Sequence, residues 1–196
     1  MTEIALDEKE FQEIKRQKVA KPLMWFGIVG IIMFFAGLTS AVLVRKGDGD
    51  WVGFELPSFF IWSTVVIVLS SLTLIFALRS AKKDQFQNVK YGVSATMILG
   101  ILFIIFQFKG FGELIQQGIY LTGTDQSASG SFVYVIAVSH ILHLLGGIIA
   151  MIFVLIKSMK NKYNSKNLLG LQVSSIYWHF LGGMWIYLYV FFRVII

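Results

Sequence analysis

The chain has 196 residues, of which 56% are hydrophobic and only 14% are charged, and its mean hydropathy is +0.72. Soluble domains are typically about 45–50% apolar and about 25% charged, so this composition excludes both an ordinary water-soluble fold and intrinsic disorder. The chain has no cysteine, which excludes disulfides, thiolate nucleophiles and thiolate metal ligands. Its net charge of +6 is carried between long apolar runs, which indicates lipid headgroups rather than nucleic acid as the anionic partner.

Residues 1–22 form a charged N-terminal segment that precedes the apolar part of the chain. The segment holds five basic and five acidic residues and lacks the apolar stretch of a cleaved secretory signal. Apolar residues scattered among the charges are compatible with an interfacial amphipathic helix or with a solvated tail.

Five long apolar runs follow this segment, and a helix that crosses a bilayer needs roughly 20 such residues. The runs contain no Asp, Glu, Lys or Arg and are continuous rather than alternating, which excludes barrel strands. The sequence therefore predicts an all-α polytopic membrane protein, with residues 23–196 forming a single bundle of five transmembrane helices. The predicted spans are residues 23–44, 57–78, 91–108, 131–156 and 171–192, and the longest predicted connection is residues 110–130.

The positive charges orient the bundle. Thirteen Lys and Arg residues lie in the N-terminal segment and in the second-to-third and fourth-to-fifth connections, against four in the remaining connections and at the C-terminal end. The positive-inside rule then predicts a cytoplasmic N-terminus and a C-terminus on the outer side. An odd number of spans requires the same result, so the charge count and the span count agree.

Three histidines, His140, His143 and His179, lie within the predicted spans. His140 and His143 are three residues apart and share one helix face, so they cannot bind a haem from opposite sides. His143 with His179 is the one pair left for such a site. The alternative, which we favour, is that neutral histidines hydrogen-bond between helices, as polar side chains in membranes do. We therefore predict no catalytic residue and no metal ligand in this chain.

Other polar residues in the spans are few. Proton relays and ion-coupled transporters typically place a carboxylate at depth in the membrane, and the predicted spans have none, which disfavours an autonomous pump or transporter. Gln107 lies near the end of the third span, where we expect it to hydrogen-bond to a neighbouring helix rather than to bind a substrate.

The fifth span is rich in aromatic residues, with eight between residues 177 and 192. Its run SSIYWHFLGGMWIYLYVFF resembles the last helix of subunit III of haem-copper oxidases, the cytochrome c and quinol oxidases. The run VSHILHLLGG in the fourth span and LGILFIIFQ in the third, which ends at Gln107, resemble two further motifs of that family in the same order. The resemblance extends from residue 22 to the C-terminus and fits the five-helix bacterial form rather than the seven-helix form.

This resemblance implies a non-catalytic subunit of a respiratory terminal oxidase in the bacterial inner membrane. Such a subunit packs against catalytic subunit I, stabilises it and holds phospholipid in a cleft, while the complex reduces oxygen to water and pumps protons. Haem and copper are then expected in the partner subunits and not in this chain, and a larger respiratory supercomplex is a further partner that the resemblance suggests. The residues expected to order helix packing or to line the lipid crevice are Gln107, His140, His143, Tyr177, Trp178 and His179.

Two positions depart from the family pattern. Members often carry a glutamate where this chain has Ile31, and commonly an aspartate where it has Gly182. Both changes remove an acid from the membrane, which favours a structural role over proton handling. The alternatives are an accessory subunit of a nitric oxide reductase, an independent small membrane transporter and a haem-binding membrane anchor.

Overall fold

The computed structural model describes residues 2–47, 51–121, 127–160, 163 and 168–196, with side chains from residue 18 onward. Over these residues the chain forms five α-helices and no strand, which confirms the predicted all-α class. The helices are α1 (Thr2–Lys46), α2 (Ser58–Lys82), α3 (Phe86–Gln116), α4 (Ala128–Met159) and α5 (Leu169–Ile195).

Each of these five helices contains a stretch long and apolar enough to cross a bilayer. Within the most apolar window of each helix, only 22% (α1) to 39% (α3 and α5) of the residues are buried inside the protein. Most of the apolar surface therefore faces outward, where hydrocarbon rather than water can cover it. The chain is a multi-pass membrane protein.

The helices extend beyond the predicted spans. Every residue of those spans is helical except Pro57, which immediately precedes α2. The prediction that residues 110–130 form one long connection is wrong at both ends, because α3 continues to Gln116 and α4 begins at Ala128. Residues 122–126, the centre of that connection, lie outside the described residues.

Side chains near these ends explain the extra helical turns. Glu113, near the end of α3, accepts hydrogen bonds from the Ser58 hydroxyl (2.7 Å) and the Phe59 amide (3.5 Å) at the start of α2. This carboxylate supplies an acceptor to the otherwise unpaired N–H groups of a helix N-terminus. At α4, the Ser127 hydroxyl accepts from the Gly130 amide at 3.2 Å, which is an N-cap contact.

A three-residue turn, residues 83–85, joins α2 to α3. Asp84 adopts a left-handed backbone conformation there (φ 56°), which Asp tolerates better than most residues. So short a connection between two helices forces them to lie antiparallel and side by side. In the connection between α4 and α5, of which only residues 160, 163 and 168 are described, Tyr163 is buried against Gly170, and burial raises the pKa of its phenol.

Helices α2 to α5 form a ring in which each packs against the next, and α5 closes the ring against α2. Within the described residues, the two diagonal pairs, α2 with α4 and α3 with α5, have no close backbone contact. This is a four-helix bundle with neighbours in chain order. The remaining helix, α1, packs on the outside of the bundle against α4 and α5. Its backbone approaches neither α2 nor α3 over the part of the chain described.

Helix α1 contacts the bundle along one narrow line. Its buried apolar residues Ile28, Phe35 and Val42 recur every seven positions, as in a helix that meets its neighbours along one edge. Phe26 (76% exposed) and Met33 (70% exposed) lie on its outward side. The backbone of the N-terminal segment is helical from Thr2 and continues through Pro22 into the span.

Candidate functional site

The centre of the protein is an aromatic layer to which all five helices contribute one ring each. The layer consists of Phe35 (α1), Phe60 (α2), Phe103 (α3), His140 (α4) and Trp185 (α5). All five side chains are buried, with 0% exposure for each. Trp185 is the hub, because its ring centroid lies 5.6 Å from Phe60, 5.3 Å from Phe103 and 5.4 Å from His140.

His140 joins α1 to this layer. Its ring centroid lies 6.2 Å from that of Phe35 and 6.0 Å from that of Phe103, both in edge-to-face geometry. Such pairs stabilise packing beyond the area they bury. Among the described residues, neither ring nitrogen of His140 has a hydrogen-bond partner.

A second layer is centred on Trp178, one of the predicted site residues. Its indole N–H donates to the Ser70 hydroxyl of α2 at 2.6 Å, and the side chain is completely buried. Its ring occupies the space beside Gly100 of α3, where an added Cβ would lie 2.6 Å from the ring atom Cη2. Only glycine fits at position 100 without moving the indole, so Gly100 makes room for the Trp178 ring between α5 and α3.

Hydroxyl groups extend this second layer between α2 and α3. The Thr73 and Thr96 hydroxyls are 2.8 Å apart, and Thr73 also donates to the Ser70 carbonyl at 2.8 Å. In hydrocarbon, polar side chains that pair across helices satisfy groups that would otherwise be costly to bury. The layer therefore fixes the rotation of α2, α3 and α5 relative to one another.

Gln107 forms a hydrogen bond from α3 to α2. Its side-chain Nε2 donates to the Ser63 hydroxyl of α2 at 2.9 Å, and Ser63 in turn donates to the Phe60 carbonyl at 2.9 Å. The carboxamide oxygen of Gln107, Oε1, is buried and has no partner among the described residues.

His143 and Tyr177 join α4 to α5. The Tyr177 hydroxyl donates to the His143 carbonyl at 3.0 Å. Nδ1 of His143 lies 2.7 Å from the Ser139 carbonyl, which can only accept, so Nδ1 carries the proton and Nε2 is an acceptor. The half-buried imidazole packs at a tilted angle against the rings of Phe34 and Phe35 of α1, with ring centroids 5.9 Å and 5.4 Å away.

His179 lies on a different surface from the other predicted site residues. Three residues later, Gly182 faces α2, where an added Cβ would lie 3.3 Å from the Ser71 hydroxyl. On the far side of α5, the Tyr187 hydroxyl donates to Thr39 of α1 at 3.2 Å. His179 is between these two sides, because successive residues are rotated by about 100° around a helix.

Over the described residues, the backbones of α1 and α2 both approach α5 but not each other, which leaves a groove between them. We call it the α5 groove; the rotation of about 100° per residue places four α5 residues on its floor, His179, Gly183, Ile186 and Val190, none of which is fully buried. His179 is half-buried there, and no described residue forms a hydrogen bond with it. Gly183 meets no atom of the protein within 4 Å of its Cβ position.

The structure therefore divides the predicted residues into two groups. Five of them, Gln107, His140, His143, Tyr177 and Trp178, lie between helices, whereas His179 lies in the α5 groove. His143 and His179 do not face each other, because Tyr177, which meets His143, is about 200° around α5 from His179. No group of three or more potential metal ligands occurs among the described residues.

The match to known proteins extends over this same bundle. A sequence model of the family described as cytochrome c oxidase subunit III matches residues 51–195, which contain α2 to α5. The chain belongs to the cytochrome c oxidase subunit III family. Membership indicates a subunit III of a haem-copper oxidase, which is part of a terminal oxidase complex and associates with its other subunits.

Similar proteins come from several bacteria. The probable cytochrome c oxidase subunit 3 of Nocardia farcinica is 30% identical over 81% of this chain and 79% of its own length. Cytochrome c oxidase subunit 3 of Corynebacterium diphtheriae is 28% identical over 81% and 80%. The probable quinol oxidase subunit 3 of Staphylococcus saprophyticus is 28% identical over 84% and 83%. Proteins named for either electron donor are thus equally similar to this subunit III.

The subunit III motif of α3 now has a structural explanation. In the run LGILFIIFQ, Gly100 accommodates Trp178, Phe103 contacts His140 and Trp185, and Gln107 binds Ser63. All three residues are completely or nearly completely buried, so the motif places α3 against the other three helices of the bundle.

Sequence reasoning missed the α2 side of these contacts. Ser63 and Ser70 bind Gln107 and Trp178, and Thr64 accepts from the Trp185 indole at 3.1 Å. The signal was present in the sequence, because Ser63, Ser70 and Ala77 recur every seven residues and mark one face of small residues. That face is buried in the structure.

Proposed function

We propose that this chain is the non-catalytic subunit III of a respiratory terminal oxidase, which stabilises catalytic subunit I and holds phospholipid while the complex reduces oxygen to water and pumps protons. Haem and copper belong to the partner subunits, and this chain supplies helix packing and a lipid site. The observation that carries the proposal is the contrast between the bundle of α2 to α5, whose helices are joined by buried hydrogen bonds, and the open α5 groove.

The interlocked bundle supports the stabilising role. Polar side chains of the aromatic layer and of the Trp178 layer form hydrogen bonds between helices, so the helices are held in fixed positions. The surface that the bundle offers to the other subunits is therefore rigid. A rigid surface loses little conformational entropy on binding, which favours a lasting complex. This role requires no chemistry in the chain itself.

The α5 groove supports the lipid role. A groove between α1 and α2 is wide enough at Gly183 to leave the α5 backbone uncovered by the protein. His179 offers a hydrogen-bonding group on its floor, where an unpaired imidazole facing hydrocarbon would be unfavourable. A phospholipid whose chains fill the groove and whose polar ester region approaches His179 satisfies both features.

We further propose a bacterial inner membrane location with a cytoplasmic N-terminus. The thirteen-to-four distribution of positive charges supports this orientation. Because the chain has no cysteine, a single cysteine reports on each side. Lys83→Cys should react with a membrane-impermeant maleimide only after the cells are opened, whereas Gln117→Cys should react in intact cells. The reverse pattern would overturn the orientation.

Purification tests the assignment to an oxidase complex. A tag placed after Ile196 and gentle solubilisation should recover a large haem-bearing membrane protein together with this chain. The haem spectrum should disappear from the tagged fraction when that partner is stripped away. Haem that stays with the isolated chain would contradict a non-catalytic subunit, and a colourless chain that purifies alone would contradict membership of a complex.

Substitution of His179 tests the lipid site. His179→Leu should leave the visible spectrum of the complex unchanged but lower the amount of phospholipid that co-purifies, measured by mass spectrometry, and shorten the lifetime of turnover. His179→Gln keeps a polar group at the same position and should retain lipid as the unmodified chain does. Wild-type lipid content and turnover lifetime in His179→Leu would refute this role.

A further inference from the structure

Among the described residues, the buried polar atoms without a hydrogen-bond partner include the Ser158 hydroxyl near the end of α4 and atoms of two side chains with 0% exposure at the centre of the bundle. These two side chains are Gln107 on α3, whose Oε1 has no partner among the described residues, and His140 on α4, of which the same holds for both ring nitrogens. Buried polar atoms in proteins are nearly always hydrogen-bonded, and in hydrocarbon the requirement is stricter because no bulk water is near. Each of these atoms therefore calls for a partner.

The orientation of the Gln107 carboxamide follows from its contact with α2. The Ser63 hydroxyl donates its one proton to the Phe60 carbonyl at 2.9 Å, so its oxygen is left to accept. Only the NH₂ end of Gln107 can occupy that contact, at 2.9 Å. Oε1 is therefore turned away from Ser63 and needs a donor elsewhere.

Gln107 and His140 lie at adjacent depths on neighbouring antiparallel helices. Ring contacts fix the register, because Phe111 meets Tyr134 at 5.2 Å and Phe103 meets His140 at 6.0 Å. On α3, Gln107 lies midway between Phe103 and Phe111. The residue midway between their α4 partners, His140 and Tyr134, is Ala137, which is small and buried, so Gln107 faces Ala137.

The two side chains also lean toward each other. Side chains on a helix tilt toward its N-terminus, so Gln107 leans toward Phe103 and His140 leans toward Ala137. Since α3 and α4 run in opposite directions, these tilts converge. Ala137 leaves space between them, because its side chain ends at Cβ.

Apart from His140 itself, the aromatic layer has no free N–H or O–H group that could donate to Gln107 Oε1 or to the His140 lone pair. A neutral imidazole has one N–H and one lone pair, so the two unmatched acceptors are the His140 lone pair and Gln107 Oε1. The Trp185 N–H, the one polar donor of the aromatic layer besides His140, already binds Thr64 at 3.1 Å. The His140 ring forms edge-to-face pairs with Phe35 and Phe103, at interplanar angles of 62° and 69°, and aromatic faces are weak acceptors for an N–H.

We propose that one internal water molecule is bound between α3 and α4, donating one hydrogen bond to Gln107 Oε1 and the other to the unprotonated ring nitrogen of His140. A water molecule is the smallest group with two donors, and internal waters typically bind buried polar groups in this way. The site lies wholly within the bundle, so it does not depend on the proposed oxidase function or on any partner subunit.

A high-resolution cryo-electron microscopy map of the purified complex, in whatever assembly it is isolated, tests the site directly. Density for a single water within hydrogen-bond distance of both side chains is the expected result. A direct bond between His140 and Gln107, or dry packing between them, would overturn the proposal. This measurement needs no variant and so does not depend on a variant folding.

A double-mutant cycle provides an independent test in the same complex. His140→Leu and Gln107→Leu should each lower the temperature at which the subunit is lost from the complex. The double variant should be no worse than the more damaging single one, because one water serves both groups and replacing both by apolar groups removes the need for it. Losses that add in the double variant would contradict a shared water.

A matched cycle checks that such a result is specific. Thr96 lies on α3 about three turns from Gln107 and binds Thr73 instead. His140→Leu combined with Thr96→Val should therefore show additive losses, since the two sites share no partner. Equal non-additivity in this control would show that the coupling arises from general destabilisation and would refute the shared water.

Discussion

Helices α2 to α5 and helix α1 are held in different ways, although the membrane-spanning stretch of α1 is as apolar as that of α2. The four bundle helices are joined by buried polar bonds and by glycines that admit large rings, such as Gly100 beneath Trp178. Helix α1 is joined by a line of apolar residues, by the Thr39 contact with Tyr187 and, at its end, by a bond from Lys46 to the Ile195 carbonyl at 2.7 Å.

This difference shows where the specificity of the fold resides. Apolar side chains gain little from leaving lipid for another apolar surface, so packing and hydrogen bonds decide how helices associate in a membrane. The bundle has both, and it is the part matched by the subunit III family. Helix α1 has fewer such contacts, and a Cβ added at Gly27, Gly30 or Gly37 would meet no neighbouring helix within 4 Å.

The largest expected effect distinguishes a glycine of the bundle from one of α1. Gly100→Leu would drive a side chain into the Trp178 ring and should remove most of the subunit from the membrane fraction, because overpacking costs about 1–3 kcal/mol or more. Gly30→Leu adds the same side chain to an open surface and should accumulate normally. Immunoblotting of membranes for the two variants is the measurement, and equal levels would break the comparison.

A smaller effect is expected at the Trp178 indole. Trp178→Phe keeps a ring beside Gly100 but removes the bond to Ser70, which should lower stability by about 1 kcal/mol. The double variant Trp178→Phe with Ser70→Ala should lose little more, since both changes remove the same bond. The temperature of subunit loss from the complex reports this coupling, and additive losses would show that the bond contributes nothing.

The smallest effect should come from α1. Thr39→Val removes the acceptor of the Tyr187 hydroxyl in the line between α1 and α5, and interhelical bonds of this kind contribute on average about 0.6 kcal/mol in membranes. The subunit should remain in the complex, with the midpoint of its loss lowered by less than in Trp178→Phe. A larger loss than in Trp178→Phe would show that α1 is as tightly specified as the bundle.

The sequence predicted the number of helices because length and hydropathy suffice for that purpose. It did not predict which side of each helix faces inward, because core and lipid-facing residues are both apolar. His179 illustrates the point, since its sequence neighbour Trp178 is completely buried whereas His179 faces the α5 groove. Only the rotation of α5, fixed by partners on other helices, separates these two adjacent residues.

The candidate site was partly predictable for a related reason. Gln107 binds a neighbouring helix, as a lone polar residue in an apolar run should, and the family motifs contain the rings of the central layer. The partners of these residues could not be predicted, because Ser63 and Ser70 are separated from them by 44 and 108 positions in sequence. Contacts of that range depend on the whole bundle.

Both indoles that complete the two layers, Trp178 and Trp185, belong to the last helix of the chain. During synthesis α2 and α3 can pair as a hairpin across their three-residue turn, but the hydroxyls of Ser70 and Thr64 receive their indole partners only when α5 has entered the membrane. Until then the bundle lacks the contacts that fix its rotation, so α2, α3 and α4 reach their defined arrangement only after α5 has been inserted. A chain whose α5 has not been inserted therefore exposes the polar face of α2, with Thr64 and Ser70, to the other helices of the membrane.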